Sequence, residues 1–223
     1  MKHYDSFDNI KYDGTLLGEE IWASNKLDGQ NFCAKYSPKL KEFTMFGSKT
    51  QNVDETSEQF GKAVLYFKQN LSEKIKNVII ENSKKGGVFT GVEEITVFLE
   101  WYGENSFAGV HSETDELKLC LIDVFLKKKG YIEPKIFYKI FENKGIELPE
   151  IIYRGKLTKE FINSIINNDW TNLKCLYPTV KEGVVCKRST LMKGQRLPKV
   201  KVKTNWWLNK LKEKYPDNWK ELE

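Results

Sequence analysis

The stretch "NKLDGQNF", Asn25 to Phe32, sets Lys26 two residues ahead of an Asp-Gly pair. An amine attacks an electrophile only after losing its proton. An unperturbed lysine has a pKa of about 10.4, so roughly one molecule in a thousand is ready at neutral pH. Bringing that value near about 7.5 takes roughly 4 kcal/mol, which neighbouring cations, a divalent metal or other lysines, can supply. A nucleophilic Lys26 therefore demands cationic company and carboxylates to hold a metal. Taken alone, "KLDG" reads equally well as a charged turn before a strand.

The rest of the chain holds the demanded groups in order. Glu100 closes an apolar run in "FLEWYG", Asp123 lies inside "LIDVF", Glu182 opens "EGVVCK", and Lys199, Lys201 and Lys203 alternate in "KVKVKT". A period of two puts those lysines on one strand face, where they repel each other unless an anion lies across them. A phosphate suits that place. Glu100 or Asp123 alone reads as a strand-end carboxylate in a salt bridge; the ordered combination is harder to reach by chance.

The elements that must position these groups follow from periodicity. "EIWASNK", "NFCAKYS" and "KEFTMFG" predict three strands, with Lys26 in the loop between the first two. From Glu55 to Lys84, apolar residues at three- and four-residue steps predict an amphipathic helix closed by Gly86-Gly87. Three strands are expected at "GVFTGVE", "EITVFLEWYG" and "LKLCLIDVFL". Helices follow around "PKIFYKIFENKG" and "TKEFINSIINN", with "PEIIYRG" as a strand between them. A hairpin of "EGVVCK" and "PKVKVK" is joined by a loop containing "KGQR", and "NWWLNKLKEKY" forms a basic aromatic helix stopped by Pro216. Grouped strands favour an α+β fold with antiparallel sheets over a doubly wound parallel sheet.

The 223 residues suit one domain, or one domain with a tail, and 40% hydrophobic content supports a sizeable core. The net charge is only +5, yet the segment from Lys181 to Lys214 carries far more Lys and Arg than acid. That fits a polyanion site or a solvated lysine-rich surface. No apolar run reaches the roughly 20 residues of a membrane span, and the N-terminus lacks a signal peptide's pattern, so a soluble, cytoplasmic or otherwise intracellular protein is expected. Cys33, Cys120, Cys175 and Cys186 lie far apart, with His3 and His111 the only histidines. They read as free thiols, and a zinc site is not expected.

The ordered motifs resemble those of the covalent nucleotidyltransferases, the superfamily of polynucleotide ligases and messenger-RNA capping enzymes. The resemblance runs from Asn25 to Thr204. "KLDGQNF" is most similar to the branch containing RNA ligase 2 and the kinetoplastid RNA-editing ligases. It implies the nucleotidyltransferase fold, antiparallel sheets flanked by helices, over residues 1–204. Residues 205–223 would be a C-terminal basic aromatic helix, with no oligonucleotide-binding barrel appended. It implies an ATP-dependent RNA ligase that needs Mg²⁺ or Mn²⁺. Lys26 would take AMP from ATP and pass it to an RNA 5′-phosphate, and a 3′-hydroxyl would then displace AMP.

The residue roles come with that resemblance. Lys26, Glu182, Lys201 and Lys203 would be catalytic, the two last neutralising phosphate. Asn25, Lys49, Glu100 and Ile122 would join Lys26, Lys201 and Lys203 around the nucleotide, with Glu100 on the ribose. Asn31 and Lys49 would serve the RNA 5′-phosphate. Glu182, Asp123 and Glu100 would face the metal, directly or through its water. Two positions depart from the pattern. Lys49 replaces an arginine and offers no bidentate fork, and Ile122 replaces an aromatic residue, so aliphatic packing would replace stacking on adenine. The substrate would be RNA with 5′-phosphate and 3′-hydroxyl ends. An end-repair partner, or Trp206 and Trp207, could add grip on RNA, although the tryptophans also read as core of the final helix. A small DNA ligase, a guanylyltransferase loading GMP, and a non-catalytic RNA-binding or repair scaffold are the alternatives.

Overall fold

A computed structural model describes residues 2–10, 14–104, 111–112, 114–169, 180–191 and 197–222. The "KGQR" loop and Cys175 lie outside the described residues. In chain order come β1 (Glu20–Lys26), β2 (Gln30–Ser37), β3 (Glu42–Ser48), β4 (Asn52–Val53) and α1 (Gly61–Tyr66). A π-helical turn (Phe67–Leu71) leads into α2 (Ser72–Glu81), followed by β5 (Ile95–Tyr102), β6 (Lys118–Leu126), β7 (Gly130–Tyr131) and α3 (Pro134–Phe141). Then come β8 (Ile151–Lys156), α4 (Lys159–Asn167), β9 (Gly183–Arg188), β10 (Lys199–Lys203), α5 (Asn205–Lys214) and α6 (Trp219–Leu222). The chain forms two compact units, each built on one sheet; the strands within each sheet pair antiparallel, as their grouping in the sequence predicts.

The first unit takes Gly29–Tyr102, Glu116–Leu148 and the N-terminal residues up to Asp5. Its six strands run β4-β3-β2-β5-β6-β7. Alternation decides the faces: Phe32, Ala34 and Tyr36 of β2 and Ile95, Val97 and Leu99 of β5 enter the core, leaving Asn31 and Glu100 on the opposite face. In β6 the core positions step from Leu121 to Val124. The pairing shows why: Phe98 faces Asp123 while Leu99 faces Leu121, so Ile122 is the extra residue of a β-bulge.

The long helix packs Val64, Phe67, Leu71, Ile75, Val78 and Ile79 into this core. It starts later than the pattern from Glu55 predicts. The Asp54 carboxylate accepts hydrogen bonds from the Thr56 and Ser57 side chains, fixing a turn there. The four-residue steps Phe67–Leu71–Ile75 drift off one face of a 3.6-residue helix, and the wider π turn brings them back. The expected strand "GVFTGVE" is instead a run of turns. Its apolar Phe89 and Val92 are buried, but Gly87 lies where a Cβ would come within 2.1 Å of the Asn82 carbonyl, and Gly91 has φ +67°. Apolar content signalled burial there, and the glycines decided the conformation.

The second unit holds Ser6–Asp28, Gly103–Asp115 and the chain from Pro149 on. Its sheet runs β10-β9-β1-β8. Ile21, Ala23, Ile152, Val184, Cys186, Val200 and Val202 form one buried face, covered by Phe161 and Ile165 of α4. Thr158 caps α4 by accepting from the Phe161 N–H, and Thr204 caps α5 by accepting from the Trp207 N–H. Trp207 and Leu211 form a smaller cluster with Leu208, Tyr215 and Trp219 packed against it.

Candidate active site

The register of the four-stranded sheet gathers the catalytic candidates. Gly183 of β9 faces Lys26 on one side and Lys203 on the other. Lys26 is the last residue of β1, not part of the loop expected from sequence, because its pairing with Gly183 extends the strand. The Lys26 ammonium lies 2.7 Å from Oε1 of Glu182, and that of Lys203 lies 3.7 Å from the same oxygen. Glu182 is only 3% exposed, and its Oε2 is buried without a hydrogen-bond partner. Burial pushes the Glu182 carboxyl above its ordinary value; Lys26 and Lys203 pull it down, and the buried Asp28 pushes with burial.

Three neighbours explain why Glu182 stands there. Gly183 has φ +149°, and a Cβ on it would come within 2.0 Å of the Val202 carbonyl, so only glycine lets β9 and β10 approach this closely. Thr204 donates its backbone N–H to the Glu182 carbonyl at 2.9 Å and its hydroxyl to the Lys181 carbonyl at 2.6 Å while capping α5. The helix so anchored places Trp207 with its ring centroid 3.7 Å from the Lys203 ammonium. Trp207 is thus core, whereas Trp206 is 41% exposed. Lys199 and Lys201 share the face of Lys203, opposite the buried Val200 and Val202, as the period of two predicts. Asn25 leaves its Oδ1 buried without a partner and donates its N–H to the Glu150 carbonyl.

The remaining candidates lie in the first unit. Asn31 faces Glu100 across β2 and β5. Gly29 starts this pairing because a Cβ there would come within 2.5 Å of the Trp101 carbonyl and 3.0 Å of Glu100 Cγ. Asn31 Nδ2 makes a long 3.4 Å bond to the Leu99 carbonyl, and its Oδ1 is buried without a partner. Ile122 is half-buried on the bulge. Asp123 is buried and accepts a 2.8 Å hydrogen bond from the Tyr4 hydroxyl. The Tyr4 ring lies 4.9 Å from that of Phe98, and burial, then the charge of Asp123, hold its hydroxyl well above its usual pKa. Lys49 is exposed in the turn after β3, where the Ser48 N–H donates to the Gln51 carbonyl.

Sequence reasoning missed Tyr4 and Thr204. Neither sits in a periodic pattern; "KT" before an aromatic helix was the one available sign of a capping threonine. Among the described residues, no three His, Cys, Asp or Glu side chains group into a metal cage. A magnesium-like ion asks for less: it keeps most of its water and takes one or two carboxylates together with substrate phosphate. The unpartnered Oε2 of Glu182 fits that requirement.

The site thus sets the partly exposed Lys26 against the buried Glu182 on an antiparallel sheet. A family model described as RNA ligase matches residues 19–203, and the chain belongs to that family. No curated protein sequence matches it. Among solved structures, a Naegleria gruberi RNA ligase variant with AMP and Mn matches at TM-score 0.65 and 17% identity, over 97% of this chain and 59% of that one. Another variant of that ligase, with ATP and Mn, gives 0.64 and 18% over the same shares. The ligase with PPi gives 0.63 and 16%, over 97% and 58%. The chain thus spans a little under three fifths of these proteins, and at such identity the likeness is one of fold.

Proposed function

We propose that the protein is an ATP-dependent RNA ligase that joins a 5′-phosphate to a 3′-hydroxyl through a lysyl-AMP on Lys26. The observation that carries this reading is the sharing of one buried Glu182 oxygen by Lys26 and Lys203. The carboxylate holds the nucleophile in place, and a second cation beside it makes the Lys26 proton easier to lose. The neutral amine attacks the α-phosphorus of ATP; an N–P bond forms and the bond to pyrophosphate breaks. An RNA 5′-phosphate oxygen then takes the adenylate from Lys26, and a 3′-hydroxyl oxygen attacks that 5′-phosphorus, releasing AMP.

Lys201 and Lys203 neutralise phosphate charge in this reading, Asn25, Lys49 and Ile122 serve the nucleotide, Glu100 holds the ribose, and Asn31 with Lys49 serves the RNA 5′-phosphate. Mg²⁺ or Mn²⁺ held by Glu182, with Asp123 and Glu100 as the other carboxylates assigned to it, would supply positive charge at the phosphates. The Naegleria gruberi RNA ligase structures with AMP and Mn and with ATP and Mn support the same choice of cofactors. In this reading the adenylation domain comprises residues 1–204, and the C-terminal segment 205–223, expected as one helix, holds two, α5 and α6. Free thiols at Cys33 and Cys186 support an intracellular setting.

A substrate panel tests the reading. With ATP and Mn²⁺, nicked or single-stranded RNA bearing 5′-phosphate and 3′-hydroxyl ends should be sealed with release of AMP. Sealing of DNA alone would make it a DNA ligase, labelling by GTP alone a guanylyltransferase, and RNA binding with no nucleotide adduct a scaffold.

A further inference from the structure

Resting on that reading, we propose that Arg154 and Trp22, stacked on the lysine-bearing face of the four-stranded sheet, form a second grip for single-stranded RNA next to the reacting end. In β1, Ile21 and Ala23 enter the core, so Trp22, Ser24 and Lys26 share the other face. Arg154 of β8 faces Trp22 directly, its guanidinium carbon 3.8 Å from the ring centroid. On the other side of Trp22 the register continues with Lys187 of β9 and Lys199 of β10. The row Arg154–Trp22–Lys187–Lys199 therefore holds three cations and no acid. Glu20, the next residue on this face of β1, is paired in register with Lys156.

Trp22 stands four positions before Lys26 in β1, about 13 Å along an extended strand. That is further than a triphosphate reaches with its α-phosphorus at the Lys26 amine, so the row serves a different anion. Lys199 is buried, 5.5 Å from the Phe7 ring, which leaves the Arg154–Trp22 end as the accessible one. Arg154 is exposed, and among the described residues no ion pair is formed by its guanidinium. Its guanidinium carbon lies over the Trp22 ring, and its N–H groups suit a phosphodiester. An aromatic ring and a guanidinium plane beside a line of cations is how unpaired strands are held: bases stack and phosphates are neutralised.

Arg154→Ala, Arg154→Lys and Trp22→Leu in the full chain test this, read by fluorescence anisotropy with a labelled 5′-phosphorylated single-stranded RNA at several salt concentrations. Arg154→Ala should weaken RNA binding about five- to tenfold and lower the slope of log affinity against log salt by about 0.7. Arg154→Lys should recover the slope but not the full affinity, since a point charge replaces a plane. Trp22→Leu should keep the slope and lose affinity. Lysyl-AMP formation with ATP should be unchanged in Arg154→Ala. Absence of RNA binding by the parent, or parental affinity and slope in Arg154→Ala, overturns the inference. Failure of the parent to form lysyl-AMP with any nucleotide would instead remove the reading on which it rests, and the two results are read independently.

Discussion

A carboxylate oxygen shared by two ammonium groups holds both, and Glu182 does this for Lys26 and Lys203 with its other oxygen buried and unpartnered. Because burial raises the Glu182 carboxyl, it takes up a proton at higher pH than an exposed glutamate. In the proposed reaction Lys26 must lose its own proton to attack. Acidification therefore opposes adenylate formation twice. The log rate of lysyl-AMP formation against pH should have a slope of about one above the Glu182 pKa and approach about two below it. Glu182→Gln should show a slope of about one throughout, at a lower rate; identical slopes in both proteins would contradict the shared-carboxylate role. Gly183 makes a second residue-scale case. With φ +149° and a 2.0 Å approach to the Val202 carbonyl awaiting any Cβ, Gly183→Ala should cost about 2–4 kcal/mol. That corresponds to a fall of about 5–15 °C in Tm by differential scanning fluorimetry. Gly14→Ala, at a position with nothing within 4 Å, should leave Tm unchanged. Lys26, Glu182 and Lys203 were legible because charge on apolar strands is conspicuous. Tyr4 and Thr204 were not, because a hydroxyl's partner depends on which strands become neighbours.

Strand alternation carried the reading of elements furthest. "KVKVK" could have only one face in a core, and Val200 and Val202 take it, which leaves Lys199, Lys201 and Lys203 together. Where alternation is interrupted the sequence was silent: the bulge at Ile122, which sets Asp123 opposite Phe98, is a property of the pairing with β5. "GVFTGVE" misled because its apolar residues are buried from turns. Helix α5 carries a consequence for the site. Thr204 ties α5 to the Glu182 strand end, and the helix sets the Trp207 ring under Lys203. A desolvated cation–π contact is worth about 2 kcal/mol, so Trp207→Leu should slow lysyl-AMP formation at least about tenfold. Trp207→Phe, which keeps a π face, should recover part of the rate. Equal rates in Leu and Phe variants of matched Tm would reduce Trp207 to packing.

Each of the two compact units contains a buried thiol, Cys33 in the first and Cys186 in the second, and burial pushes both up to about 12. Neither thiol supplies appreciable thiolate near neutrality. Native protein treated with iodoacetamide at pH 8 should remain unmodified at both, whereas guanidinium should expose both. Peptide mass spectrometry along a denaturant series then reports the opening of each unit separately, and rapid native labelling of either would contradict its burial. Composition predicted a chain able to build a substantial core but gave no hint that residues 6–28 share a compact unit with the C-terminal part; such long-range association has no local signature. The central claim is that Lys26 accepts a nucleotide. Incubation with α-labelled ATP and Mn²⁺, denaturation and peptide mapping should place AMP on the peptide containing Lys26, with no label in Lys26→Ala. Absence of an adduct with any nucleotide, or equal labelling of Lys26→Ala, would contradict it.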